Sequence, residues 1–267
     1  MGVPYPAPSL AHGGRTCRDQ TLRSQRACTS GRRREHVSSD TPTVSIADLD
    51  SSYWKLMELR PKYPGAPLIK IEPDWRERHP PTGPAARLFK RHLAGVETIL
   101  DVGAGDRLWE SVFVRMGIGA RYLTADVDRR HPHDYTDFLG VEDTFDAIVM
   151  LELLEHLPLE TGLRFLQHAV DLLNPGGVLV IGTPNAHHPH QVWSADLTHR
   201  PWPAHDLWAL CVVAGLEGIE VYRQTLTTRK RRFLIPLQVG LGRLLGFDTA
   251  YGLLLFAHKP RAARRPA

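Results

Sequence analysis

The heptapeptide Leu151–Leu157, LELLEHL, concentrates side chains able to move protons or hold a cation. Glu152, Glu155 and His156 stand three and four residues apart, so one helical turn would place all three on a shared face. Farther along, Asp196-Leu197-Thr198-His199-Arg200 brings a second imidazole. Two carboxylates and two imidazoles make an oxygen-and-nitrogen donor set suited to a divalent cation such as Mg²⁺, Mn²⁺ or Zn²⁺, so Glu152, Glu155, His156 and His199 are the candidate metal ligands. Without a metal, His156 or His199 would act as a general base, because an imidazole titrates near neutrality and can take a hydroxyl proton. A structural role is the third reading.

A second stretch, Glu97–Arg107 (ETILDVGAGDR), carries a different chemistry. An apolar run ends in Asp101-Val102 and enters a Gly-x-Gly turn, Gly103-Ala104-Gly105. Glycines there let the backbone turn with positive φ and approach a ligand closely, while the helix behind them presents free N–H groups. Asp126 follows Gly105 by about 20 residues, the distance at which an acid accepts ribose hydroxyls in nucleotide-binding folds. A dinucleotide site would want a third glycine where Leu108 stands, and that reading is set aside.

These residues need elements to hold them. Strands are predicted over 98–102, 120–125, 145–150, 178–181, 217–224 and 251–258, and helices over 108–116, 159–173 and 203–214. The helix at 159–173 is closed by Asn174-Pro175-Gly176-Gly177, a strong stop. The nearly continuous apolar run at 145–150 suits a sheet covered on both faces. Such alternation argues for an α/β, doubly wound parallel sheet with ligands beyond the strand C-termini. Upstream, 44–59 and 84–93 read as helices and 69–75 as a short extended piece; together they would cover the ligand site or pack on the sheet edge. Between the last two strands, a basic helical segment near 229–245 reads as a packed insertion, with a substrate lid or an interfacial helix drawn to acidic lipid as alternatives.

The residues ILDVGAG, then Asp126, then FDAIVMLELLEHL and LNPGGVLVIGTPN, in that order, resemble class I S-adenosylmethionine-dependent methyltransferases from about Glu97 to His258. The resemblance implies a mostly parallel, seven-stranded Rossmann-like sheet. It assigns Asp101, Gly103, Ala104 and Gly105 to the methionine part of S-adenosylmethionine and Asp126 to its ribose. Asp137, with Asp134 as an equal alternative, would meet the adenine; Val127, Leu151 and Glu152 adjoin the cofactor. Arg107 departs from the pattern, which usually has glycine there. It must take a glycine-like conformation, or the helix starts early. The segment at Glu152 also resembles two metal-using or metal-related subsets, RNA 2′-O-methyltransferases and quinone-biosynthesis O-methyltransferases. Leu157 replaces the second histidine of the RNA enzymes, leaving that ligand set incomplete.

The chain of 267 residues is 42% apolar and 23% charged, a globular composition, and its net charge of +4 is a mild excess. Much of that excess lies in the N-terminal arm, Arg229–Arg232 and the tail, which weakens the case for a nucleic-acid groove. Cys17, Cys28 and Cys211 are too scattered for a disulfide framework, so a reducing, cytoplasmic setting is expected. No apolar run has the length of a membrane span. The expected organisation is a disordered arm over 1–43, a helical cover over 44–95, a methyltransferase domain over 96–260 and a basic tail over 261–267. His131, His133, His187, His188 and His190 read as loop residues, His188 and His190 lying nearest the site. Trp193, Trp202 and Trp208 surround His199 as aromatic walls or core. The function expected is methyl transfer to a hydroxyl of a small molecule, a saccharide or secondary metabolite. An RNA-terminal 2′-O-methyltransferase and an inactive, cofactor-binding partner subunit are the alternatives.

Overall fold

The computed structural model describes residues 46, 49–71, 81–193, 200–226 and 235–261. His199 and the proposed arm over 1–43 lie outside them, as do the Arg229–Arg232 run and most of the basic tail. In chain order the elements are α1 (Leu49–Leu59), β1 (Leu68–Ile71), α2 (Pro84–His92), β2 (Thr98–Val102), α3 (Leu108–Met116), β3 (Arg121–Ala125) and β4 (Phe145–Leu151). There follow α4 (Leu159–Leu172), β5 (Leu173–Pro184), α5 (Pro189–Trp193), α6 (Ala204–Val213), β6 (Glu217–Leu226), α7 (Ile235–Leu245) and β7 (Gly252–His258).

The strands form one seven-stranded sheet in the order β3-β2-β4-β5-β7-β6-β1. All neighbours are parallel except β7, which runs against both β5 and β6. The sheet is therefore mostly parallel and doubly wound, as expected. Successive residues of a strand face opposite sides, and both sides are buried. Leu100 and Ile148 join Leu163, Leu166, Leu207 and Leu210 under α4 and α6. Ile99 and Val149 join Phe89, Val112, Phe113 and Phe256 under α2 and α3. This two-sided burial explains why β4 reads as an unbroken apolar run.

Three boundaries differ from the sequence reading. The extended piece expected at 69–75 forms as β1, Leu68–Ile71, and it pairs in parallel with β6 as the sheet edge instead of belonging to a helical cover. Asn174-Pro175-Gly176-Gly177 does follow the end of α4 at Leu172, but it lies inside the long strand β5, which starts at Leu173 rather than at 178. Gly177 is pressed so close to Asn174 O and Asp146 O that a Cβ would stand within 2.8 and 3.0 Å of them. The insertion α7 is not packed along its apolar face, since Leu237, Leu241, Leu244 and Leu245 are between 48% and 80% exposed. Among the described residues no helix is long and apolar enough to cross a membrane.

Candidate active site

Because β2, β3, β4 and β5 run parallel, their C-termini bring the glycine turn, Asp126, Glu152 and Asn185 to one edge of the sheet. The turn after β2 is made by three left-handed residues, Gly103 (φ 76°), Gly105 (φ 52°) and Arg107 (φ 60°). Gly103 is required for two reasons: its φ of 76° is left-handed, and a Cβ on it would stand 2.8 Å from Leu153 Cδ1. Its N–H donates to Ala125 O at 2.8 Å. A Cβ on Gly105 would meet nothing within 4 Å, so this glycine borders open space rather than protein.

Arg107 adopts the conformation that glycine usually supplies and still leads directly into α3. Its side chain compensates by tying the loop after β3. Nε donates to Glu110 Oε2 at 3.1 Å and Nη1 donates to Pro132 O at 2.9 Å.

Asp126 meets the turn from β3. Its Oδ2 accepts the Gly105 N–H and its Oδ1 the Asp128 N–H, both at 2.8 Å. Beside it Val127 is 81% exposed, an apolar face with no protein against it. Asp134 is spent on the fold: its Oδ2 accepts from Thr124 N and Thr124 Oγ1 at 2.9 and 3.0 Å. Asp137 caps the short turn Phe138–Gly140 by accepting the Leu139 N–H at 3.1 Å, and it is exposed.

Asp101 is fully buried at the end of β2, and the only side chain bonded to it among the described residues is Tyr122, whose hydroxyl donates to Oδ2. Burial raises its carboxyl to about 7 despite that bond.

At the end of β4 the expected shared face does not form. Glu152 takes a left-handed conformation (φ 54°), and only Leu154–His156 makes a short 3-10 turn, so helical spacing does not apply. The acids still meet. Glu155 is completely buried; its Oε2 accepts from Thr183 Oγ1 at 3.0 Å, while its Oε1 is buried without a hydrogen-bond partner among the described residues, and Glu152 is its charged neighbour. Glu152 is open by area yet crowded by protein on its inner side. That desolvation, with the adjacent Glu155 charge, raises it to about 7, and Glu155 is raised by its own burial. His156 turns outward, 53% exposed, with Nε2 4.0 Å from Glu155 Oε1. Among the described residues no group of three or more His, Cys, Asp or Glu side chains is placed to hold a metal. The donor set anticipated at Glu152, Glu155 and His156 thus does not fit one, because Glu155 points into the core while His156 points away from it; the fourth ligand, His199, lies outside the described residues.

Beyond β5 the edge is lined by groups the sequence reading left in loops or did not single out. A cavity of about 310 Å³ is bounded by Tyr63, Asn185, His187, His205, Arg223 and Asp248 among others. Asn185 and Asp248 form its frame: Asn185 Nδ2 donates to Asp248 Oδ2 at 3.0 Å, and Arg223 Nη1 donates to Asp248 Oδ1 at 3.0 Å. The His187 and His205 rings lie 5.6 Å apart. Burial lowers His205 and holds the Tyr63 hydroxyl up at about 12, so both are neutral near pH 7. The His188 ring meets Tyr251 edge to face, with centroids 5.6 Å apart and planes inclined by 66°. The signal for Tyr63 and His205 was absent from sequence because they come from segments 142 residues apart. Trp202 is core: it is buried, and its Nε1 donates to Leu154 O at 3.2 Å. Trp208 packs on Tyr63, ring centroids 5.9 Å apart. A larger cavity of about 480 Å³ lies away from the glycine turn, between α1, α4 and α6, with Tyr53, Leu56 and Leu163 among its walls.

A parallel sheet with a glycine turn, an acid on the next strand and a polar cavity at the same edge defines a nucleotide-cradling α/β enzyme. A family profile described as a methyltransferase domain matches residues 75–227, more than half of the chain. The chain belongs to the class I S-adenosylmethionine-dependent methyltransferases. Its fold is similar to that of a SAM-dependent methyltransferase from Archaeoglobus fulgidus (15% identity, 66% of this chain and 93% of that one, TM-score 0.54). Weaker likenesses include an O-methyltransferase family protein from Burkholderia thailandensis (15% identity, 67% and 56% covered, TM-score 0.45). Another is the N-methyltransferase NodS from Bradyrhizobium japonicum (19% identity, 66% and 93% covered, TM-score 0.45). No curated protein sequence matches the chain.

Proposed function

We propose that this enzyme binds S-adenosylmethionine at the carboxyl edge of β2, β3 and β4 and methylates a hydroxyl oxygen of a small, uncharged acceptor such as a saccharide or secondary metabolite. The open space at Gly105 is where backbone and ligand would meet, with Asp101, Gly103 and Ala104 around the methionine end. Asp126 keeps lone pairs free for the ribose hydroxyls after accepting two backbone N–H groups. Exposed Val127 offers an apolar face for a base, while Asp137, Leu151 and Glu152 complete the rim.

When bound, S-adenosylmethionine supplies a methyl group on a positively charged sulfur. The chain's task is then to hold an acceptor oxygen in line and to receive its proton. Glu152, with its carboxyl near neutrality, and His156 beside it are the described groups suited to that proton; His199 is the further candidate. No step is assigned to a metal.

The observation that carries the acceptor assignment is the 310 Å³ cavity, whose polar lining is the His187 imidazole, the His205 imidazole kept neutral by burial, and the Asn185–Asp248–Arg223 frame, in which the two charges are paired with each other. Its one described cation, Arg223, is already paired to Asp248 at 3.0 Å, which favours hydroxyls over phosphates. The test is incubation of the full chain with methyl-labelled S-adenosylmethionine and a panel of saccharides, alcohols, amines and short RNAs, with products read by mass spectrometry. A methyl ether on a saccharide or alcohol is expected. Methylation only of amines or RNA would overturn the acceptor assignment.

A further inference from the structure

We infer that α7 is a docking surface for an anionic lipid bilayer. Leu237, Leu241, Leu244 and Leu245 stand at i, i+4, i+7 and i+8, a stripe about 100° wide on an ideal helix, and each is largely open to solvent. Four exposed leucines in register are not the scattered apolar residues of an ordinary surface. The opposite side explains how the helix is held. Gly242 is buried, and a Cβ there would stand 2.8 Å from Phe247 O and 3.2 Å from Thr249 Cγ2, so the helix lies on its own C-terminal connection through a glycine and turns its leucines out.

Charge selects the partner. Between Thr227 and Gly246 the sequence carries Arg229, Lys230, Arg231, Arg232 and Arg243 and not one acidic residue. An apolar stripe accompanied by a run of like cations has the chemistry of a helix that lies in a negatively charged membrane interface. The segment lies beyond the family match, which ends at residue 227.

The position of α7 gives the docking a consequence. It joins β6 to β7 at the sheet edge that carries the glycine turn, and Asp248, three residues after it, donates its N–H to His187 O at 3.0 Å and frames the 310 Å³ cavity. A bilayer seated on the leucines would lie beside the acceptor cavity, and the acceptor would be drawn from the membrane; that last clause rests on the proposed function, whereas the docking does not.

The test is co-sedimentation of the full-length protein with vesicles of phosphatidylcholine alone and of phosphatidylcholine with phosphatidylglycerol. The bound fraction should be roughly ten-fold higher on the anionic vesicles and fall with added salt. It should be lost in Leu241→Glu/Leu244→Glu, which changes only exposed side chains, and drop to the neutral-vesicle level in Lys230→Glu/Arg231→Glu. Equal binding to both vesicle types, or none to either, overturns the inference without any variant being made. So does a wild-type dimer in light scattering that the leucine variant dissolves while vesicles stay unbound. Anionic-vesicle binding together with methylation only of amines or RNA in the acceptor panel would overturn the proposed function and leave the docking standing.

Discussion

Asp146 and Asp101 lie on neighbouring strands at opposite ends of the sheet, and the chain treats them in opposite ways. Asp146, at the start of β4, accepts the Glu97 and Thr98 N–H groups, Thr98 Oγ1 and Asn174 Nδ2, at distances from 2.8 to 3.1 Å. Burial pushes its carboxyl up, but these bonds win and hold it below the usual carboxylate range. Asp101, at the end of β2, has the Tyr122 hydroxyl and no comparable set of donors, and burial lifts it to about 7. The amino edge is a clamp with its hydrogen bonds filled. The carboxyl edge keeps Asp101, Glu152 and Glu155 raised, and it holds both of the non-glycine residues with positive φ among the described residues, Arg107 and Glu152. Raised acids and strained turns concentrate where a ligand is to be met rather than where strands are merely joined.

The strongest way to break the contrast is at the clamp. Asp146→Ala strips four hydrogen bonds from two segments, Glu97–Thr98 and Asn174, and should lower unfolding free energy by about 3 kcal/mol, measured by urea denaturation. S-adenosylmethionine affinity in the folded fraction should be unchanged. Next comes Gly105→Ala. Its methyl would enter open space, so stability should fall by only about 1 kcal/mol for the left-handed strain. Cofactor affinity should fall roughly 100-fold, or about 2.7 kcal/mol. A binding loss no larger than the stability loss would mean that Gly105 does not border the cofactor.

pH sharpens the same comparison, because the two ends respond with opposite sign. Asp101 has a raised folded pKa, so as pH climbs from about 4 to 7 the unfolded chain releases its proton first and stability falls. Asp101→Asn should remove that slope and gain about 1–3 kcal/mol of stability at pH 8. At the amino edge burial lowers His92 to about 4, against a partly offsetting attraction from Glu220. There the unfolded chain takes up the proton first as pH falls from about 6.5 to 4, so stability is lost in acid, and His92→Gln should flatten that limb. Thermal melts of both variants between pH 4 and 8 measure the two slopes separately. The smallest effect is expected at Arg107→Gly. Relief of the left-handed strain and loss of the bonds to Glu110 and Pro132 should nearly cancel, leaving a change of about 1 kcal/mol or less.

The sheet was legible because its strands are buried on both faces and punctuated by glycines, as at 98–105 and 145–150. The glycine turn was legible for the same reason, and Arg107 was visible as a residue in a place that glycine usually fills. What periodicity could not reach was the short turn after β4: a left-handed Glu152 resets the spacing, so residues three and four apart do not share a face there. Asp134 resembled a ligand contact until its bonds to Thr124 showed it closing a loop. Tyr63 and His205, from distant segments, became neighbours only through tertiary packing. The leucines of α7 carried the right spacing for either a packed or an exposed face, and only the burial of Gly242 decided which way they turned.

Calorimetric titration of S-adenosylmethionine into the wild-type chain and Asp126→Ala most directly tests whether the carboxyl edge is the cofactor site. One-to-one binding by the wild type, weakened roughly 100-fold in the variant while its melting temperature falls by only the few degrees expected for two lost hydrogen bonds, is the predicted result. No heat from the wild type, or equal affinity in both proteins, would contradict it.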